Sequence, residues 1–159
     1  RSFTSWTNGH PKCITSKGKH FKGRRCTQKV SREFRLMQSD LYNLQPSVGE
    51  INEVRSNYPF GSILGEEREF GSCDVEVKNK TFEPPSNRLG DIARTYLYMT
   101  RAYRSEYQIW GDERDLMQKW NKKYPPDEWE CNRAENIELV QGNRNKVVFG
   151  RCSDVKMSW

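Results

Sequence analysis

Apolar residues along this chain gather into a few periodic runs separated by long polar stretches, and the runs predict helices more than strands. In "VSREFRLMQSDLYNL" the positions Val30, Phe34, Met37, Leu41 and Leu44 recur at i, i+4, i+7, i+11 and i+14, the stripe of one helix face. Pro46 limits how far that helix continues. "PPSNRLGDIARTYLYMTRAY" opens behind two prolines, and Ile92, Ala93, Tyr96, Leu97 and Met99 to Tyr103 predict a second helix. "DERDLMQKWNKKYPP" predicts a third, with Leu116, Met117, Trp120 and Tyr124 inward and Pro125 as its stop. "DEWECNRAENIELVQGN" predicts a fourth, with an acidic first turn and Gly142 ending it. Within the loop-like stretch 58–87, one strand is expected at "CDVEVK", where Val75 and Val77 alternate with polar residues. Residues 1–26 read as polar and turn-rich.

The sum is an irregular, mostly helical α+β domain with small strands. No repeat, low-complexity linker or internal boundary divides it, so residues 1–159 read as a single domain, long enough to bury a sizeable core. The hydrophobic fraction is only 34%, yet five Trp, seven Tyr and seven Phe argue for a folded chain under a heavily charged surface rather than a disordered one. Lys and Arg outnumber Asp and Glu by 27 to 21, a net charge of +6 that favours a polyanionic partner. No run approaches the ~18 apolar residues of a membrane span. The opening "RSFTSWTNGH" has no apolar leader core.

Cys13, Cys26, Cys73, Cys131 and Cys152 stand at long spacings with no CxxC pair, a disulfide pattern rather than a zinc or redox one. Cys13 and Cys26 flank "ITSKGKHFKGRR", and Cys131 and Cys152 flank "NRAENIELVQGNRNKVVFGR". Each pair makes a plausible staple, although spacing alone does not fix connectivity. Cys73 is left over, either as a free buried thiol or as one whose partner lies outside this chain.

No P-loop, GxGxxG, HExxH or GxSxG is present. The two histidines, His10 and His20, lie in the polar N-terminal stretch with no base-orienting partner nearby and read as surface residues. Most carboxylates interleave with basic residues along helices, as on a solvated, salt-bridged face. The polar stretch "SDLYNLQPSVGEINEVRSNYPF" offers two readings: a loop that caps a helix, or one that builds a site around Asn43.

"MQSDLYNLQPSVGEINEVRSNYPF", "FGSCDVEV", "EPPSNRLGDIARTYLYM" and "WNKKYPPDEWECNRAENIELVQGNRN" resemble the bacterial endonuclease I family, in order, from about Cys13 to Cys152. The resemblance implies a periplasmic or secreted nuclease, monomeric, that hydrolyses DNA and also RNA with little sequence preference. It implies the helical half of a ββα-metal site, in which Asn43 is a ligand for Mg²⁺ or another divalent cation. The family's hairpin motif, "EWEH" followed by "VVPA", is not among these residues, so its general-base His and acidic ligand are expected on a preceding segment. Three further family cysteines are expected there too, and that segment is a candidate disulfide partner for this chain, which alone is expected to be inactive. Phosphate contacts are expected from the loop Lys17, Lys19, Lys22, Arg24 and Arg25, and from Arg55, Arg94 and Arg144. Arg55 and Arg94 read equally well as structural ions paired with Glu50 or Asp91. Tyr96, Tyr98, Trp120 and Trp129 fall at helical spacing and read as core. The alternative function is a non-catalytic nucleic-acid-binding or protein-interaction domain derived from a nuclease.

Overall fold

A computed structural model of the chain describes residues 9–65 and 69–153. Among these, the order is α1 (Arg24–Val30), α2 (Arg32–Ser39), a 3₁₀ turn (Leu41–Asn43), α3 (Gly49–Arg55), β1 (Glu76–Lys78), β2 (Thr81–Glu83), a second 3₁₀ turn (Ser86–Arg88), α4 (Leu89–Ala102), α5 (Gly111–Lys123), α6 (Glu128–Gln141) and α7 (Lys146–Cys152). The α+β class expected from the pattern is the one observed.

The stripe from Val30 to Leu44 is not one helix. Ser31 takes an extended conformation (φ −106°, ψ 120°); its N–H closes α1 on Thr27 O, and its side chain accepts from Phe34 N to open α2. Asp40 then ends α2 at φ −65°, ψ 118°, and its carboxylate caps the 3₁₀ turn. Serine and aspartate compete for local backbone donors, and here they outweigh the apolar period. Phe34 and Met37 stay buried while Leu44 is exposed.

The strand expected at 73–78 is observed over Glu76–Lys78, and its partner is the unexpected strand Thr81–Glu83. The two pair antiparallel with Val77 opposite Phe82, around a turn whose central residues Asn79 and Lys80 both have positive φ. That is the handedness a two-residue hairpin demands.

Two apolar clusters form the core. One gathers Met37, Tyr42, Tyr98, Ala134, Ile137 and Val148 beneath the first 3₁₀ turn. The other gathers Leu89, Ala93, Ile109, Met117 and Trp120 where α4 crosses α5. Helix α4 feeds both, with Leu97 against each. Both expected staples are present, Cys13–Cys26 and Cys131–Cys152, with Cα separations of 5.4 and 5.9 Å. Loops of these sizes are worth about 3 kcal/mol each in the chain-entropy account. Cys73 is free but exposed, not the buried thiol that was one of its two readings.

Candidate functional site

Asn43 closes the 3₁₀ turn after α2, and its side chain is exposed. Its Nδ2 donates to Met37 O at 3.1 Å, one of the carbonyls that the end of α2 leaves free. With the nitrogen so engaged and no described residue donating to Oδ1, the amide keeps a neutral oxygen with lone pairs to offer.

The turn beneath it is held by partners far away in sequence. Asp40 is 2% exposed, and its Oδ2 accepts from Tyr98 Oη at 2.7 Å and Tyr103 Oη at 2.8 Å. Its Oδ1 accepts from Tyr42 N at 2.9 Å and Gln141 Nε2 at 3.0 Å. Gln141 Oε1 accepts in return from Leu41 N at 2.8 Å. Arg133 donates through Nη2 to Leu41 O and Leu44 O, at 2.7 and 2.5 Å. Tyr42 Oη lies 3.1 Å from both Ala134 O and Asn143 O. Burial and the neighbouring Asp40 carboxylate push the Tyr98 and Tyr103 hydroxyls well above the usual phenol range, so both remain donors. Four segments thus fix a turn of three residues. This network is the part of the site that the sequence pattern missed, because all its pairs but that of Asp40 with Tyr42 lie 58 to 101 residues apart.

The basic residues part company. Lys22, Arg24 and Arg25 are exposed, on the Cys13–Cys26 loop and the start of α1. Arg144 is also exposed; it pairs with Glu138 at 3.1 Å and lies 3.9 Å over the Phe149 ring. Arg55 is half-buried, with its guanidinium 4.5 Å over Phe60.

Arg94 does not fit a phosphate contact. It is 1% exposed, and its Nε and Nη2 grip Glu130 at 2.7 and 2.5 Å. It also reaches Asp91 at 3.3 Å and Tyr124 O at 2.6 Å. A guanidinium that tied and buried joins α4, α5 and α6, so the expectation of a nucleic-acid contact gives way to a structural one. Gly90 makes room for this packing, since a Cβ there would sit 2.5 Å from Tyr124 O.

Trp129 also departs from its expected place. It is 45% exposed, flanked by Arg88 at 5.4 Å and Arg133 at 5.8 Å. It walls an apolar groove of about 420 Å³ that includes Leu41, Ile137 and Val140, beside the Asn43 turn. His10 and His20 lie outside this arrangement; His10 Nδ1 accepts from Lys12 N at 3.2 Å, and His20 bridges Ile14 in the loop.

Among the described residues no three His, Cys, Asp or Glu side chains converge to hold a metal. Asn43 Oδ1 suits a hard cation, which prefers oxygen, but one neutral ligand cannot hold such an ion without a carboxylate from elsewhere.

A disulfide-stapled α+β domain with an asparagine amide braced at its surface is the class that fold and site define. The endonuclease I family matches residues 6–149. Endonuclease-1 of Buchnera aphidicola subsp. Acyrthosiphon pisum (strain APS) is 37% identical over 150 residues, covering 93% of this chain and 57% of that protein. A periplasmic deoxyribonuclease of Aeromonas hydrophila is 36% identical over 152 residues, covering 93% of this chain and 61% of that protein. An extracellular ribonuclease of Bacillus subtilis (strain 168) is 25% identical over 126 residues, covering 69% and 43%. The chain belongs to the endonuclease I family, and it spans about three fifths of the length of the first two of these relatives.

Proposed function

We propose that this chain is the asparagine-bearing part of a nonspecific, metal-dependent endonuclease that hydrolyses DNA, and RNA as well, in the periplasm or outside the cell. The observation that carries the reading is the Asn43 amide, its nitrogen tied to Met37 O and its oxygen free, on a turn braced by buried Asp40. Names of relatives support the substrate and the compartment: a periplasmic deoxyribonuclease, an extracellular deoxyribonuclease and an extracellular ribonuclease.

In this reading Asn43 Oδ1 is one ligand of Mg²⁺ or another divalent cation. A bound cation would stabilise charge on the scissile phosphate and acidify a water. The Met37 carbonyl fixes which amide atom faces the ion, as outer partners of metal ligands commonly do. Asp40, Arg133 and Gln141 keep the turn from shifting, and a shift of about 1 Å is enough to lose ~10²-fold in rate. The carboxylate ligand and the general-base histidine belong on a segment preceding these residues, so the chain alone is inactive and works as a monomer once joined to it. Exposed Lys22, Arg24, Arg25 and Arg144 contribute phosphate contacts, as does half-buried Arg55.

The test is Asn43→Ala in the full-length protein, read by nicking of supercoiled plasmid with Mg²⁺. Activity should fall by about 100-fold or more, while stability should change by no more than about 1 kcal/mol, the worth of one hydrogen bond. Full activity in that variant sinks the ligand role. Salt-sensitive DNA binding by a full-length protein that never nicks plasmid would favour the non-catalytic alternative.

A further inference from the structure

Helix α6 is rich in acid, with four glutamates against the single Arg133, yet one of its faces carries none. Trp129, Arg133, Asn136 and Val140 fall at i, i+4, i+7 and i+11, a single stripe along the helix. With Asn132 and Leu41 they line the groove of about 420 Å³, and no carboxylate lines it. That volume falls in the range of small-ligand sites. An acidic helix that keeps one face free of carboxylates suits a ligand borne on a negatively charged chain.

The lining sets a flat aromatic wall among polar groups. Trp129 and Val140 stand 45% and 78% exposed on this one face, a contiguous apolar patch rather than scattered side chains. Two guanidiniums flank the indole. Arg88 lies at 5.4 Å and is held by Asp91 at 3.0 Å; Arg133 lies at 5.8 Å and is held by the carbonyls of Leu41 and Leu44. Exposed Asn132 and Asn136 each offer an amide donor and a carbonyl acceptor. A purely apolar partner would leave these polar groups unmatched. A nucleobase matches them, with a π-face for the indole, edge donors and acceptors for the amides, and the charge of its own strand for the guanidiniums.

The groove also adjoins the Asn43 turn, because Leu41 lines it and opens the turn that Asn43 closes. Two residues of backbone span at most ~7 Å, and phosphates along one strand of a duplex repeat every ~3.4 Å. A base in the groove is thus within a few nucleotides of a phosphate at Asn43. In a duplex both faces of a base are covered by its neighbours, so only an unpaired or extruded base reaches the indole.

We propose that the groove walled by Trp129 is a subsite for an unpaired nucleobase of the substrate strand, held by stacking on the indole whatever the base. This rests on the nucleic-acid reading above, and it adds base contact on single strands to a site otherwise concerned with phosphate.

The decisive variant is Trp129→Ala in the full-length protein, set against Trp110→Ala, which removes a 70% exposed indole elsewhere. Binding is measured in EDTA to a short single-stranded DNA, to the same sugar-phosphate chain with abasic positions, and to a blunt duplex. Trp129→Ala should lose about tenfold in affinity for the base-bearing single strand, the worth of one base stack, and far less for the abasic strand and the duplex. Its salt slope should not change, since no phosphate contact is removed. Trp129→Phe should keep most of the affinity, strands of adenine and of thymine should suffer alike, and Trp110→Ala should change little. Asn136→Ala, the loss of an exposed amide, serves where Trp129→Ala does not fold, and it should cost the base-bearing strand about 2- to 10-fold, the worth of one hydrogen bond. Equal losses on base-bearing and abasic strands, or no loss in either variant, overturn the subsite and leave the endonuclease reading standing. A lowered urea midpoint in Trp129→Ala with all three ligands weakened alike assigns the groove to packing within the full-length chain and also overturns it. An unaltered protein that binds none of the three ligands at low salt sinks both readings.

Discussion

At the scale of single residues, Asp40 carries more of the site than Asn43 does. Its carboxylate takes hydrogen bonds from Tyr98, Tyr103, Tyr42 and Gln141, all within 3.0 Å. Asp40→Ala leaves those donors without their acceptor, at about 1–3 kcal/mol for each one buried. A loss of roughly 3–5 kcal/mol in urea denaturation is the expected outcome. Arg94 makes a second residue-scale case. Arg94→Met strands Glu130 in the interior and leaves Asp91 only its pair with Arg88; it should cost about 3–5 kcal/mol, whereas Arg94→Met with Glu130→Leu should recover most of that. A double-mutant cycle by chemical denaturation checks the pair. Neither role was legible in the local sequence. The apolar stripe from Val30 to Leu44 runs straight past Asp40 without singling it out, and Arg94 reads as either a phosphate ligand or a structural ion. Burial decided between those readings, and burial depends on contacts made 36 residues away for Arg94 and up to 101 for Asp40.

At the scale of elements, α4 and α5 were legible from their apolar period and α6 from its acidic first turn and the stop at Gly142; all three lie where the pattern put them. The seven-residue helices α1, α3 and α7 were not, since two turns are too short for a period and such helices depend on caps and packing. Helix α7 illustrates this: Asn145 is 2% exposed, and its side chain accepts from Val147 N and Val148 N. The Ser31 break is the other lesson, because one capping hydroxyl splits a stripe that looked continuous. Ser31→Ala should cost about 1 kcal/mol, visible as a lower thermal midpoint, without touching the Asn43 turn at the far end of α2. Gly142 ends α6 at φ 81°, with open space where a Cβ would stand. Gly142→Ala should therefore cost only the backbone strain, about 1 kcal/mol, and a second measurement of the thermal midpoint decides it.

At the scale of the whole molecule, both core clusters are rich in tyrosines that resist ionisation. Tyr42, Tyr96, Tyr98, Tyr103 and Tyr107 all have pKa values raised above 10.0, chiefly by burial. The folded chain then holds more protons than the unfolded chain once pH passes 10.0, so stability is intact below that pH and falls as pH rises above it. Phenolate absorbance should show these five staying protonated until the chain unfolds, and Tyr98→Phe should flatten the alkaline loss. Early titration of all seven tyrosines in a folded protein would contradict this. The two disulfides carry a different consequence, one for the order of events during maturation. Their partners lie only 13 and 21 residues apart, and loops of about ten residues close within ~10–100 ns. Each bond can find its mate inside its own stretch, before any helix has met another. Oxidation can run ahead of folding without committing the chain to a wrong topology, and exposed Cys73 is the one thiol of the five placed to divert it.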